Sequence, residues 1–189
     1  MKTIIWDFDN TLVDTTSLLL DQFLYEQQEC GVSKRRAMKM YKHISLDEKI
    51  KIGDFLISSG LLNFVEPIEG ARDVLSYLSY DYKQKCLTAR PNTHSNIIKD
   101  ILTKNFGNYI SETHFLNSLN SKIDYAYNKM EGIVLIDDTL TSFEGIEKTN
   151  YKGILFDPKD EYKTVSNSHI KRTHSLDEIP DLLSEIFKS

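Results

Sequence analysis

The sequence has few cysteines, no excess of positive charge and no long apolar run. Its two cysteines, Cys30 and Cys86, lie far apart, and no second pair is present to complete a disulfide framework or a metal site. We therefore expect both to be reduced thiols. The formal net charge of −5 argues against a general nucleic-acid binder, because affinity for the phosphate backbone needs a surplus of clustered Lys and Arg.

The apolar runs are too short for a membrane-spanning protein. A membrane-spanning helix needs roughly 20 apolar residues, whereas the leucine run 18–20 is followed at once by Asp21. The apolar run at the amino terminus meets Asp7 too early for a secretory signal. We therefore expect no membrane partner and a cytoplasmic location.

What the chain does contain is an alternation of strand-like and helical patterns. Its 189 residues, 40% of them hydrophobic, suffice for one α/β core and a modest insertion. Apolar runs without a polar face are typical of strands buried on both sides of a parallel sheet. The pattern predicts a Rossmann-like, doubly wound parallel sheet of five strands, followed by a surface loop over 157–169 and a final helix over 176–187. The predicted strands are 3–8, 84–88, 113–116, 132–136 and 152–156.

The interval 15–65 interrupts this alternation. It contains no convincing strand and three helical stretches. The sequence therefore predicts an α/β core formed by 1–14 and 66–189, with an all-helical insertion between them. The apolar residues expected on the buried side of the third insertion helix are Ile50, Phe55 and Leu56.

Carboxylates directly follow two of the predicted strands. Asp7 and Asp9 come directly after the apolar run of the first, on the same side of the chain, and Asp137 and Asp138 follow the fourth. Because the carboxyl ends of parallel strands face the ligand crevice, we expect both pairs to converge if the two strands are neighbours. Such crowding is costly without a cation, and hard oxygen ligands favour Mg²⁺. Taken alone, the first pair is equally typical of a solvated turn.

Two further residues are candidates for a functional role. Thr88 ends the second strand, where its hydroxyl can donate, although a threonine there is usually a strand former or a helix cap. Lys122 begins the predicted helix 121–129, where a cation costs about 0.3 to 1 kcal/mol and therefore indicates a role other than helix stability. Lys104 and Lys129 are weaker candidates for the functional lysine.

Taken together, these motifs resemble a known family. The order Asp7-x-Asp9-x-Thr11, then Thr88, then Lys122, then Asp137-Asp138 is similar to the four motifs of the haloacid-dehalogenase-like (HAD) superfamily, over nearly the whole chain. The resemblance implies the strand order 5-4-1-2-3, a small helical C1-type cap formed by the insertion, and a phosphatase that hydrolyses phosphomonoesters.

The resemblance also implies a role for each residue. Asp7 is the nucleophile that forms an aspartyl-phosphate, and Asp9 is the acid and then the base. Dehalogenases of the superfamily lack the second aspartate, so Asp9 favours phosphoryl chemistry. Ser142 stands where some relatives have an acid. Mg²⁺ is expected on Asp7, the backbone carbonyl of Asp9, Asp137 and Asp138, the last directly or through water. The phosphate-binding candidates are Asn10, Thr11, Thr88, Ala89 and Lys122.

The sequence indicates the substrate less clearly than it indicates the type of reaction. A compact cap favours a small phosphorylated metabolite, such as a nucleotide or a sugar phosphate. Arg90 is a candidate for substrate specificity, the alternative being ordinary surface solvation or stacking. The basic stretch Lys34, Arg35, Arg36, Lys39, Lys42 and His43 either steers phosphorylated substrates or is a solvated helix face, and it keeps the phosphorylated end of a polynucleotide as an alternative substrate.

Two alternatives belong to other functional classes. One is a HAD-like protein that binds a partner without catalysis, which the complete motif set argues against. The other is a receiver domain of a signalling system, in which the lysine comes last; here Lys122 precedes the late acidic pair. The sequence does not indicate an oligomeric state.

Overall fold

The computed structural model describes residues 1–116 and 122–188, apart from the side chain of Leu46. The chain divides into two units, one formed by Met1–Val13 and Pro67–Ser189 and the other by Asp14–Glu66. In the described part of the chain, no helix is both long and apolar enough to cross a bilayer. In chain order, the α-helices are α1 (Thr15–Glu29), α2 (Lys34–Tyr41), α3 (Leu46–Ser58), α4 (Ala71–Leu78), α5 (Ser95–Phe106), α6 (Lys122–Lys129) and α7 (Ile179–Lys188).

The first unit is built on a parallel sheet of six strands in the order β3-β2-β1-β4-β5-β6. This confirms the predicted α/β class and the predicted order of the first five strands, whose ends shift by at most two residues. The strands are β1 (Lys2–Trp6), β2 (Tyr82–Thr88), β3 (Glu112–Phe115), β4 (Val134–Asp137), β5 (Lys152–Phe156) and β6 (Ile170–Thr173).

The prediction of five strands was wrong by one, because β6 was missed. Of its four residues only Ile170 and Thr173 are buried, so the strand has little apolar signal of its own. It pairs in parallel with β5 at the edge of the sheet. Arg172 of β6 donates through Nε and Nη2 to Asp157 Oδ2, at 3.0 and 2.6 Å, just after the end of β5. This ion pair stabilises an edge strand that the apolar pattern does not predict.

Strand β1 lies in the middle of the sheet, between β2 and β4. Its residues Ile4, Ile5 and Trp6 are fully buried. The Trp6 indole N–H donates to the Gln84 side chain at 3.1 Å, and the Gln84 amide donates to a backbone carbonyl of α4 at 2.8 Å. These buried polar groups are therefore paired. The strand that leads into Asp7 is fixed by β2 and β4 on its two sides, and Gln84 connects it to α4.

The second unit contains α1, α2, α3 and a short 3₁₀ helix, Leu61–Phe64. The prediction for the buried side of α3 was right for Leu56 and wrong for Ile50 and Phe55, which are 49% and 45% exposed. Ile52 is buried instead, because it lies four residues before Leu56 and so on the same face of the helix. The buried cluster of this unit consists of Phe23, Leu24, Ala37, Ile52 and Leu56.

Candidate active site

A tight turn carries the first two aspartates away from β1. The Asp7 N–H donates to Ile136 O of β4 at 2.9 Å, so Asp7 stays between the two strands. The turn is then closed by the Asn10 N–H, which donates to Val13 O at 2.7 Å. Asn10 has a positive φ of 57°, a conformation that asparagine tolerates better than most residues. The result is a buried Asp7 side chain and a half-buried Asp9 side chain.

Lys122 joins the ends of the two central strands. Its Nζ lies 2.6 Å from Asp7 Oδ1 and 2.6 Å from Asp137 Oδ2, and all three residues are buried. A buried charge is costly unless it is paired, and this ammonium is paired twice. The lysine at the start of α6 is thus explained by its two carboxylate partners. Of the predicted helix 121–129, residue 121 lies outside the described residues. The weaker candidates are both exposed, Lys104 on α5 and Lys129 at the far end of α6.

The burial of this cluster shifts its protonation equilibria. Burial raises the pKa of Asp7 well above its usual range, against the lowering effect of Lys122, and the neighbouring carboxylates raise it further. Burial, followed by the charge of Asp137, raises the pKa of Asp138 to about 6. Burial disfavours the charged form of Lys122, but Asp7 and Asp137 together raise its pKa above the ordinary value. The ammonium therefore stays charged, whereas burial favours the protonated forms of Asp7 and Asp138.

Three of these carboxylates are placed to hold a metal ion. Oxygen atoms of Asp7, Asp137 and Asp138 lie within 4.8 Å of one another. The Thr139 N–H donates to Asp137 Oδ1 at 2.8 Å, and the Thr139 hydroxyl donates to Asp138 Oδ1 at 3.2 Å, so both side chains are oriented. A set of carboxylate oxygens fits Mg²⁺, which prefers hard ligands. Ser142, buried in the short helix Leu140–Phe143, adds no carboxylate to this group.

The side chain of Asp9 is engaged elsewhere. Arg90 donates from Nε to both carboxylate oxygens of Asp9, at 3.1 and 2.9 Å, and from Nη2 to Oδ1 at 2.7 Å. The guanidinium carbon lies 6.0 Å from the centre of the Phe8 ring. Arg90 thus lies beside the predicted acid and base and connects the turn after β1 with the turn after β2.

The remaining phosphate-binding candidates lie in the same two turns. Thr88 is fully buried at the end of β2, and its Oγ1 accepts the Arg90 N–H at 3.2 Å, which leaves the hydroxyl hydrogen available as a donor. Ala89, half-buried, separates these two residues. In the turn after β1, Asn10 is half-buried, and the Thr11 hydroxyl is buried without a partner among the described residues. An unpaired buried hydroxyl is uncommon and suits a place where a ligand or water oxygen binds.

Sequence reasoning missed two relationships in this site. Thr139, which orients both late aspartates, was not singled out, although a donor directly after Asp137-Asp138 is a usable signal. The contact of Arg90 with Asp9 has no local signal, because the two residues are 81 positions apart.

Comparison with known proteins shows which solved structures this fold resembles. No family model and no curated protein matches the chain. Among solved structures it is similar to a haloacid dehalogenase-like hydrolase from Streptococcus pneumoniae, with a TM-score of 0.69 and 16% identity over 97% of this chain and 98% of the other. A magnesium-bound putative HAD-hydrolase from Bacillus subtilis gives 0.65 and 16%, over 96% and 98%. A predicted phosphoglycolate phosphatase from Haemophilus somnus gives 0.63 and 16%, over 97% and 98%.

These likenesses extend over nearly the full length of each chain. They show that the protein has the fold of the HAD-superfamily hydrolases and confirm the predicted resemblance at the level of the fold. At this identity they do not define an activity, which has to be argued from the site itself.

Proposed function

We propose that this chain is a Mg²⁺-dependent phosphomonoester hydrolase that acts through an aspartyl-phosphate on Asp7. The observation that carries the proposal is the contact of Lys122 with both Asp7 and Asp137, beside a cluster of three carboxylates. An aspartate that attacks an anionic phosphoryl group needs its own charge offset. A fixed ammonium and a set of oxygen ligands supply that offset together. The hydrolase fold, found also in a magnesium-bound neighbour, supports the same class.

Asp7 is the nucleophile in this proposal. Its Oδ1 is held by the Phe8 N–H at 2.6 Å and by Lys122 at 2.6 Å, which leaves Oδ2 for the attack. Oδ2 forms a bond to phosphorus as the bond to the ester oxygen breaks, so that the phosphoryl group is carried on Asp7. Because Oδ1 is fixed, the carboxylate cannot rotate away from the phosphorus, and the attack starts from an oriented group.

Asp9 moves the protons. It donates a proton to the leaving ester oxygen in the first half of the reaction and accepts one from the attacking water in the second. That water adds to phosphorus, the bond to Asp7 Oδ2 breaks, and inorganic phosphate leaves. The same carboxyl group thus serves both half-reactions and ends in its starting state.

The phosphoryl oxygens are bound by donors from three elements. We assign the Thr88 hydroxyl, the Lys122 ammonium and the turn residues Asn10 and Thr11, with Ala89 beside Thr88, to this task. Mg²⁺, when bound by Asp7, Asp137, Asp138 and the Asp9 carbonyl, supplies positive charge against which an anionic nucleophile can approach an anionic substrate. The substrate class that we propose is a small phosphorylated metabolite, such as a nucleotide or a sugar phosphate.

Turnover of a generic ester tests this proposal directly. The purified chain is assayed with para-nitrophenyl phosphate in the presence of Mg²⁺, with Asp7→Asn as the matched inactive control. We expect Mg²⁺-dependent release of phosphate by the parent chain. A folded, Mg²⁺-replete protein that releases none from this ester or from a panel of metabolite phosphates would contradict the proposal and leave a binding function.

A second candidate substrate is the phosphorylated end of a polynucleotide. The observation in its favour is a group of five exposed cations on α2 and directly after it, which form no ion pair with the described residues. Those cations are Lys34, Arg35, Arg36, Lys39 and Lys42. If these cations bind a nucleic-acid strand, the chain should hydrolyse a phosphorylated oligonucleotide with a higher kcat/KM than the matching mononucleotide. The double variant Arg35→Gln with Lys39→Gln should remove that difference. Equal efficiency for both substrates would exclude the second candidate.

A further inference from the structure

Arg90 and Asp9 form a partly exposed ion pair that connects the turns after β2 and β1. Three N–H···O contacts of 2.7 to 3.1 Å connect them, and the two side chains are 17% and 26% exposed. A fork of guanidinium N–H groups on both oxygens of a carboxylate is a strong and well-oriented contact. It is also partly open to solvent, so the pair can separate at a modest cost.

This ion pair competes with the role that the proposed function gives to Asp9. A carboxylate that accepts from a guanidinium with both oxygens acts as an acceptor only. To deliver a proton to the leaving oxygen, one of those oxygens has to carry that proton and face the substrate instead. Arg90 must therefore leave Asp9 during turnover, and its charge then needs another partner beside the leaving group.

We propose that Arg90 determines substrate specificity by binding a second anionic group on the leaving-group side of the substrate, and that it releases Asp9 in doing so. The inference rests on the proposed function and names its substrate class: esters whose leaving group bears a carboxylate or a further phosphate. A substrate without that anion leaves Arg90 on Asp9 and is turned over less efficiently, because productive binding must then break the ion pair without replacing it.

The surroundings of Arg90 suit this exchange. Its backbone is anchored, since its N–H donates to Thr88 Oγ1 at 3.2 Å, while the guanidinium lies near the Phe8 ring and is tied to the turn after β1 by Asp9. The side chain can thus change partner without moving the strand end. Arginine matches carboxylate and phosphate groups equally well, because both present two oxygens to its planar fork.

The test compares substrates that differ by one anionic group. The carboxylate arm uses 3-phosphoglycerate against glycerol 3-phosphate, and the phosphate arm uses glucose 1,6-bisphosphate against glucose 6-phosphate. The parent chain, Arg90→Gln and the control Arg72→Gln, an exposed arginine on α4, are assayed with each pair. A hydrogen-bonded charge contact corresponds to roughly 10- to 100-fold in affinity. We expect the parent chain to prefer the more anionic member of at least one pair by such a factor in kcat/KM, mainly through KM.

Arg90→Gln should abolish this preference, and Arg72→Gln should leave it unchanged. The arm that shows the effect identifies the anion as a carboxylate or a phosphate. A parent chain without a preference in either arm, or an Arg90→Gln variant that keeps the preference, would overturn the inference even if turnover is confirmed.

Binding measurements test this inference independently of the proposed catalytic function. Affinities for the same compounds are measured by calorimetry in Asp7→Asn and in Asp7→Asn combined with Arg90→Gln, both with Mg²⁺. A preference that depends on Arg90 supports the inference even where the parent chain shows no turnover. Equal affinities in the two variants count against it, whatever the outcome of the activity assay.

Discussion

Lys122 lies 2.6 Å from Asp7 Oδ1 and couples the first residue of α6 to the first residue after β1. The same ammonium lies 2.6 Å from Asp137 Oδ2, at the end of the neighbouring strand β4. One cation therefore bridges the carboxylates at the two central strand ends and offsets the charge of the proposed nucleophile.

Replacing Asp7 by Asn should abolish turnover while preserving the fold. The amide lacks the nucleophilic oxygen that forms the phosphoenzyme, so we expect kcat to fall by at least about 10³-fold. Phosphate release and the far-ultraviolet circular dichroism spectrum of the variant check the two halves of this statement. Residual activity within tenfold of the parent chain would assign the nucleophile elsewhere.

Replacing Asp9 by Asn should produce a slow enzyme. The amide cannot donate a proton to the leaving oxygen or accept one from water, and we expect a loss of roughly 10²- to 10⁴-fold. If hydrolysis slows more than the attack, the phosphoprotein accumulates and is detected as an added phosphate by intact-protein mass spectrometry. Normal turnover would refute the acid-base assignment.

Replacing Lys122 by Met should lower both stability and activity. Asp7 and Asp137 then lose their shared cation in a buried site, and we expect the free energy of unfolding to fall by about 3 kcal/mol in the absence of Mg²⁺. Chemical denaturation monitored by fluorescence measures this loss. Lys129→Met, at the exposed far end of α6, is the matched control and should change stability by less than about 0.5 kcal/mol. Equal effects at both positions would contradict the role assigned to Lys122.

The stability of the metal-free chain should contain a pH-dependent contribution from Asp138. The pKa of this group is about 6 in the folded chain, against an ordinary value of 3.8. Because the folded pKa is the higher one, the protonated form favours folding, so the contribution is fully present below about pH 4 and is lost as the pH rises through 6. The shift corresponds to at most about 3 kcal/mol.

Asp138→Asn isolates this contribution. Denaturation in EDTA at pH 4 and at pH 8 should show the variant gaining stability over the parent chain only at pH 8. Adding Mg²⁺ at pH 8 should stabilise the parent chain more than the variant, because the metal binds the ionised carboxylate of the folded state. A difference between the two proteins that does not change with pH would contradict the raised pKa.

Much of the fold and of the candidate site could be predicted from the sequence because both depend on short-range patterns. An apolar run without a polar face indicates a buried parallel strand, and an aspartate directly after it lies at the carboxyl end of the sheet. That rule sufficed to locate five of the six strands and to single out Asp7 and Asp137 as candidates, whereas the order of those strands was expected from the family resemblance. It did not suffice for β6, where only Ile170 and Thr173 of four residues are buried and Arg172 pairs with Asp157.

The sequence by itself determined which residue types stand at the ends of the central strands, because alternation and the position of polar residues after apolar runs are local properties. Only the tertiary structure decided which of them touch. Lys122 reaches Asp7 and Asp137 because β1 and β4 are neighbours and α6 begins beside them. Arg90 pairs with Asp9 across 81 positions of the chain. Such contacts depend on the packing of distant segments, and local patterns carry no information about that packing.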